Sequence, residues 1–351
     1  MTWALVRTKL LELRRRRGLM VVTALLTIGL PVIVLGLRLA FHAADPKSYG
    51  PAGSPGVFTA LVEVMAEFGF IIAAVVGATA STSDLSEGMF RHLVITGRSR
   101  LALYFSRLPS ASVIVLPLVA VGFAALSFVT AYAGTPQPAT VSINGVNIPA
   151  HLNEPELVQW AAAHPVQAAL ATGSVSVSSA SASSGGQAVS VRPGRLGKGG
   201  LHALYAAYLT LEATQGNPTA SDMTKIGLWL ELDVFVGLVV GLGVGSVLGQ
   251  RTLSTVLIIV LQIIITPIFA AHVIPYFLNG QRIVVGVALD QLRPAFLNPP
   301  TFIGHRVRGA ILGRSGLEIP PMPTWAMVLV IVGWVVGWTG LGAWRMATRD
   351  A

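Results

Sequence analysis

Six stretches of the chain, near 19–41, 57–80, 111–133, 226–249, 253–275 and 324–344, are apolar over lengths suited to a bilayer-crossing helix. A crossing takes about 20 mostly apolar residues. Inside lipid no water meets the backbone amides, so each run has to close its own hydrogen bonds as helix. The fold class that follows is an all-α membrane protein with six transmembrane helices. Pro31, Pro117 and Pro267 fall inside the runs, where membrane helices tolerate proline better than soluble ones. Composition agrees: only 11 % of residues are charged, against roughly 25 % in a soluble domain. A soluble enzyme is excluded. With no cysteine in the sequence, disulfides, zinc–thiolate sites and cysteine nucleophiles are excluded as well.

The net charge of +9 would raise nucleic acid as a partner in a soluble protein. Here the basic residues flank the apolar runs, and they read as topology instead. With both termini cytoplasmic, 13 Lys and Arg fall in the 55 inner loop positions and 11 in the 158 outer ones, as the positive-inside rule expects. Arg282, Arg293, Arg306, Arg308 and Arg314 go against the trend, because all five lie in the outer loop 276–322. The first run follows Arg14 to Arg17 but is too long for a signal peptide, and no small-x-small site follows before Asp45. A retained anchor is expected. Before it, residues 2–17 place Trp3, Val6, Leu10 and Leu13 on one helical face and basic residues on the rest. That is the pattern of an interfacial amphipathic helix on the cytoplasmic leaflet, with a solvated basic tail as the alternative.

Three regions follow: 1–133 with spans one to three, a small extracytoplasmic insert 134–225, and 226–351 with spans four to six. In the insert, Val141 to Ile148 alternates around Asn144-Gly145, a two-residue hairpin signal. Residues 154–171 are expected to be helical with a break at Pro165, 173–191 reads as a Ser/Gly-rich flexible linker, and 200–214 returns to a helical pattern. Lacking a disulfide, the insert is expected to pack on the membrane helices or on a partner.

Between spans two and three runs Ser83-Asp-Leu-Ser-Glu87-Gly-Met-Phe-Arg91-His-Leu-Val-Ile-Thr-Gly97-Arg-Ser-Arg100. Ser86 can cap a helix with Glu87 in its first turn, and Gly97 supplies a stop. Leu85, Met89, Phe90, Leu93 and Val94 form an apolar face, and Ser99 can cap a second helix leading into span three. The product is a short helix below the membrane, suited to a groove on a cytoplasmic partner, or else a capped turn lying on the lipid surface.

This segment, with the basic amphipathic helix and six spans, resembles the permease subunits of bacterial type-2 ABC exporters. Acid-Gly-x-x-Arg followed by Gly-x-Ser-Arg is matched by Glu87, Gly88, Arg91, Ser99 and Arg100, and more loosely by Arg107. The resemblance implies that the segment contains the coupling helix, which sits in a cleft of a separate ATP-binding subunit, so that Phe90 and Gly97 join the contact. It also implies short helices between spans five and six, for which 281–297 is the candidate within a re-entrant or interfacial loop 276–322. ATP and magnesium then belong to the partner subunit, and this chain holds no cofactor or metal. No Gly-x-x-x-x-Gly-Lys-[Ser/Thr] phosphate cradle occurs, nor any catalytic constellation. The expected function is a permease of the bacterial cytoplasmic membrane, paired with a second copy or a paralogue. It exports a substrate by alternating access driven by the ATP-binding subunit.

Charges within spans call for a hypothesis, because each is costly unless paired or hydrated. Glu63 and Glu67 share a face of span two, and Glu231 and Asp233 fall in span four at a similar depth. They can line a substrate path, form a proton site, pair with Arg38 at the outer end of span one, or lie at the wet interface. Two other functions stay open: a proton-coupled secondary transporter using these acids, and a membrane scaffold or sensor whose outer insert binds a ligand or protein. Gly237, Gly241, Gly243 and Gly245 have the small-residue spacing of close helix packing.

Overall fold

A computed structural model describes residues 3–46, 49, 51–86, 95, 97, 99–133, 140–143, 146–149, 152–171, 175–180, 188–193, 204–205, 208, 218–261, 282–297 and 322–348. Among the described residues, five helical stretches are long and apolar enough to cross a membrane: Arg17–Ala44, Pro55–Ser83, Arg100–Ala133, Ala220–Leu248 and Thr324–Thr348. The expected sixth, 253–275, begins in the shorter apolar helix Arg251–Val260, and its remainder from 262 lies outside the described residues.

Helix α1 (Trp3–Arg15) buries Leu5, Val6, Lys9 and Leu13. Trp3, placed on the same face by the sequence, is 74 % exposed. The helix packs on protein rather than resting only on a leaflet: Leu5 meets Leu103, Tyr104, Leu242 and Met346, and Leu13 enters the central core. Lys9 is neutralised by Glu12 one turn on, 2.8 Å away.

Helix α2 (Arg17–Ala44) widens into a π-helical turn over Leu25–Gly29. The cause lies two residues beyond: Pro31 has no N–H for the carbonyl of Thr27, and its ring presses on that carbonyl. The displaced Thr27 carbonyl turns toward Gly122, where a side chain would collide with it.

The centre of the molecule is the pair α3 (Pro55–Ser86) and α8 (Ala220–Leu248). A Cβ on Gly237 would meet the carbonyl of Phe70, one on Gly241 that of Ala74, and one on Gly245 the backbone of Ala78. These contacts advance together along both helices, so α3 and α8 run parallel, backbone to backbone. Absence of side chains is what permits that approach. Gly243 faces elsewhere, against Trp338. Around this pair lie α4 (Arg100–Phe105), α5 (Arg107–Ala133), α9 (Arg251–Val260) and α11 (Thr324–Thr348). Thr219 opens α8 with a capping box to Asp222, and Gly249 closes it at φ 68°. The main core joins Leu35 of α2, Phe58, Val62 and Met65 of α3, Val115 and Leu126 of α5, and Ile226, Leu230 and Leu238 of α8.

In the insert, β1 (Thr140–Ile143) pairs antiparallel with β2 (Val146–Pro149), Ile143 opposite Val146, which leaves Asn144-Gly145 as the two-residue connection. Helices α6 (Glu154–Ala163) and α7 (Pro165–Ala171) follow with the break at Pro165. Part of the stretch read as a linker is paired: β3 (Val175–Ala180) lies antiparallel to β4 (Ala188–Pro193). Alternation of Val175 and Val177, and of Val189 and Val191, in a serine background supplies the strand pattern that the Ser/Gly content masks. Ile143, Val146, Ile148, Leu157, Ala171, Leu204 and Tyr208 form a core of the insert's own.

Candidate functional site

Two polar assemblies stand at opposite ends of the α3–α8 pair. At the end where α1 lies, the expected coupling segment leaves α3 and returns through α4. Glu87, Gly88, Phe90 and Arg91 lie outside the described residues. Gly97 has φ 83°, the left-handed conformation of a helix stop. Ser99 caps α4, its hydroxyl accepting from the Ala102 amide at 3.2 Å. Arg100 donates to the Ala347 carbonyl at 3.0 Å, tying this point to the last turn of α11. Arg107, the first residue of α5, is fully buried and donates to the carbonyl of Ser81 at 2.7 Å. That bond joins α3 to α5, the helices that precede and follow this stretch of sequence.

At the other end, α10 (Val285–Gln291) folds within the 281–297 segment and is followed by a 3-10 turn at Ala295–Leu297. Val285, Ala288 and Leu289 pack with Phe70, Val236, Met327 and Ile331, which draws α3, α8 and α11 together. Two tryptophans hold its backbone. Trp229 Nε1 donates to the Leu289 carbonyl at 2.8 Å, and Trp334 Nε1 to the Ile283 carbonyl at 2.7 Å. Leu289 lies in the last turn of α10, where carbonyls lack a helical partner, so the indole supplies a missing donor.

This segment delivers the cation of the site. Arg293 Nη1 lies 3.2 Å from Glu63 Oε1, and Nη2 lies 2.9 Å from Asp290 Oδ1. Its guanidinium stands 5.2 Å from the Trp229 ring centre, within reach of the ring's negative face. The arginine side chain is 12 % exposed and Glu63 11 %. Asp233 is 8 % exposed, and the charged groups acting on it are Glu67 and Arg293. Glu67 itself is exposed.

The structure thus brings together Glu63, Glu67 and Asp233, and separates Glu231 from them. Two residues along a helix turn a side chain through about 200°, so Glu231 occupies the side on which Gly227 meets Phe123 of α5. Its Oε1 is buried with no hydrogen-bond partner. Arg38 lies on the exposed side of α2, and the cation against Glu63 is Arg293 instead. Arg293, Asp290 and Trp229 were not singled out for this site from the sequence. The signal was the basic outer loop itself, together with Asp290 and Arg293 three residues apart. Among the described residues, no three of His, Asp and Glu are placed to hold a metal ion.

No protein-family model matches this chain, and no curated protein is significantly similar to it.

Proposed function

We propose that the chain is the permease subunit of a bacterial ATP-driven exporter of the type-2 ABC kind. It moves its substrate across the cytoplasmic membrane by alternating access while a separate subunit binds ATP and magnesium. The observation that carries this reading is the Arg107–Ser81 bond. The bond ties α3 to α5, so a partner that grips the sequence between them has a handle on both helices. A partner that fits the handle differently in its two states biases the membrane helices by that difference in fit and by nothing else.

The close approach of α3 and α8 extends the argument. A backbone-to-backbone contact at Gly241 and Ala74 leaves little slack, so displacement of α3 carries α8 with it. Both helices carry their acids toward the opposite end, where α10 lies. A push received at one membrane face therefore has a short mechanical route to the charged site. A second permease, identical or paralogous, completes the path. In support, α2, α5 and α11 bury less than a third of their most apolar windows.

The test is purification of the tagged chain in mild detergent, with ATPase assay and partner identification, for wild type and for Glu87→Ala and Phe90→Ala. A soluble ATPase is expected with the wild type, and the substitutions are expected to release or uncouple it. Recovery of the wild-type chain alone, with no ATPase, sinks the reading. A second reading, a membrane scaffold or sensor acting through its outer insert, draws on the insert's separate core. It takes over if the chain is recovered with another protein bound to that insert.

A further inference from the structure

We propose that the outward face of α1, carrying Trp3, Arg7, Leu11 and Arg14, is a binding surface for anionic phospholipid headgroups. The inference goes beyond the export reading and does not rest on it, because the face meets lipid whatever the bundle transports.

Helical periodicity defines the face. A helix turns about 100° per residue, so Trp3, Arg7, Leu11 and Arg14 fall within about 80° of one another. All four are exposed, Leu11 at 46 %. Leu5, Lys9 and Leu13 point the other way and are buried. The side that meets protein and the side that carries Trp3 are therefore two different faces of one helix. Exposed tryptophan and leucine are unfavourable in bulk water. In a headgroup layer the indole is well placed, and an arginine stem lies along the acyl chains while its charge reaches the phosphates.

The packing of α1 sets the height of this face. Leu5 touches Leu242 of α8 and Met346 of α11. Leu242 comes six residues before Leu248, where α8 ends, which is about 9 Å along the axis. Helix α1 thus lies beside the last turns of the spans rather than beneath them, and it leads directly into α2. That is the level of the headgroups.

Charge selects among lipids. Glu12 is the one acid in residues 1–17, and Lys9 neutralises it at 2.8 Å. Arg7 and Arg14 make no ion pair among the described residues, and Arg15 and Arg17 are exposed at the turn into α2. A guanidinium meets a phosphate through two parallel N–H bonds. Phosphatidylcholine offers that phosphate with an ammonium of its own attached, and phosphatidylglycerol offers it uncompensated. Each basic residue at such a surface favours the anionic lipid by about fivefold.

The chain has no cysteine, so Leu11→Cys takes a single bimane label, itself apolar, in the leucine's place. The full chain, with any co-purifying subunit, is placed in phosphatidylcholine nanodiscs holding a dilute doxyl-labelled quencher lipid. The quencher is phosphatidylglycerol in one set and an equal amount of phosphatidylcholine in the other. Quenching is expected to report about fivefold enrichment of the anionic quencher, falling as salt is raised. Arg7→Gln together with Arg14→Gln is expected to bring the two quenchers level, and both residues are exposed, so the fold bears the change. Bimane at Gly333→Cys, an open position on α11, is expected to be quenched equally by both lipids. Equal quenching at position 11 overturns the proposal, as does selectivity that survives loss of both arginines. Failure of either lipid to quench at 11, with Gly333→Cys quenched normally, also overturns it and gives the face to a soluble protein. None of these readouts involves an ATPase, so the lipid surface and the export reading fail separately.

Discussion

Arg107 and Ser81 lie 26 residues apart, yet the guanidinium of the first donates to the main-chain carbonyl of the second at 2.7 Å, inside the protein. Ser81 stands near the end of α3 among buried hydroxyls of Thr79, Thr82 and Ser83. A charged donor bonded to a carbonyl is stronger than a neutral one, and burial keeps water from competing for it. The two helices leaving the bundle at this point are held as one unit, whatever the intervening segment does.

Replacing Arg107 by Met keeps most of the stem volume and deletes that donor. Hydrogen bonds to charged groups contribute about 1.5–3 kcal/mol, so Arg107→Met is expected to destabilise the detergent-purified chain by ~2 kcal/mol. Protease cleavage within 84–99 is expected to quicken in parallel. Unchanged melting and unchanged cleavage show that the bond does not hold these helices together.

The parallel pair makes a sharper demand on size than on polarity. A Cβ at Gly241 would fall on the backbone of Ala74, whereas one at Gly333 of α11 meets nothing within 4 Å. Backbone has no rotamer by which to yield. Gly241→Ala is therefore expected to cost about 1–3 kcal/mol, while Gly333→Ala is neutral or stabilising by up to ~1 kcal/mol. Thermal unfolding of the two variants side by side decides it, and equal effects refute the close approach.

What the sequence disclosed, and what it withheld, follows from how local each signal is. Apolar runs, the Asn144-Gly145 turn, the break at Pro165 and the stop at Gly97 act within a few residues. Five of the runs and the break at Pro165 are visible at their expected places, and Gly97 has the expected left-handed backbone, while the helix before it, the turn residues and the fifth run from 262 lie outside the described residues. The glycines of α8 could be read as a packing face, but not that three of them meet α3 and Gly243 meets Trp338. The charged site needed contacts across long separations. Arg293 and Glu63 are 230 residues apart, and nothing in the spacing of either announces the other. Helical periodicity could have divided Glu231 from Asp233 at once. Reading depth alone merged them, because two residues differ little in height and greatly in direction.

Glu63 holds the outer segment through Arg293, and Leu289 on that segment is 2 % exposed. A Leu289→Cys probe has no background, because the chain contains no cysteine. Adding Glu63→Gln is expected to speed maleimide labelling at 289 about tenfold, the effect of lowering the local opening energy by ~1.4 kcal/mol. Ile283→Cys, at a position 66 % exposed, labels quickly in either background. If the rate at 289 is insensitive to Glu63, the ion pair is not what seats α10.

Tyr208 stitches the insert. Its hydroxyl donates to the Pro149 carbonyl at 2.8 Å and accepts from the Leu152 amide at 2.9 Å. Tyr208→Phe leaves the ring in its core and strands both main-chain groups, at an expected cost of about 1–3 kcal/mol. Limited proteolysis is expected to cut 152–171 faster while the melting of the α3–α8 pair is unaltered. A coupled loss of both would show that the insert and the bundle unfold as one.

The orientation of the chain rests on where its basic residues lie, and the packing allows a clean test. Leu5 of α1 touches Leu103, Leu242 and Met346, so the start of α4 and the ends of α8 and α11 share one face with α1. Orientation is then a single choice for all of them. The positive-inside rule predicts that this face is the cytoplasmic one. Gln159 and Arg15 are both exposed, one on the insert and one at the end of α1. In intact cells a membrane-impermeant maleimide is expected to label Gln159→Cys and to reach Arg15→Cys only after permeabilisation. The reverse pattern inverts the whole bundle at once. It would move residues 84–99 outside, away from any ATP-binding subunit, and the export reading would fall with it.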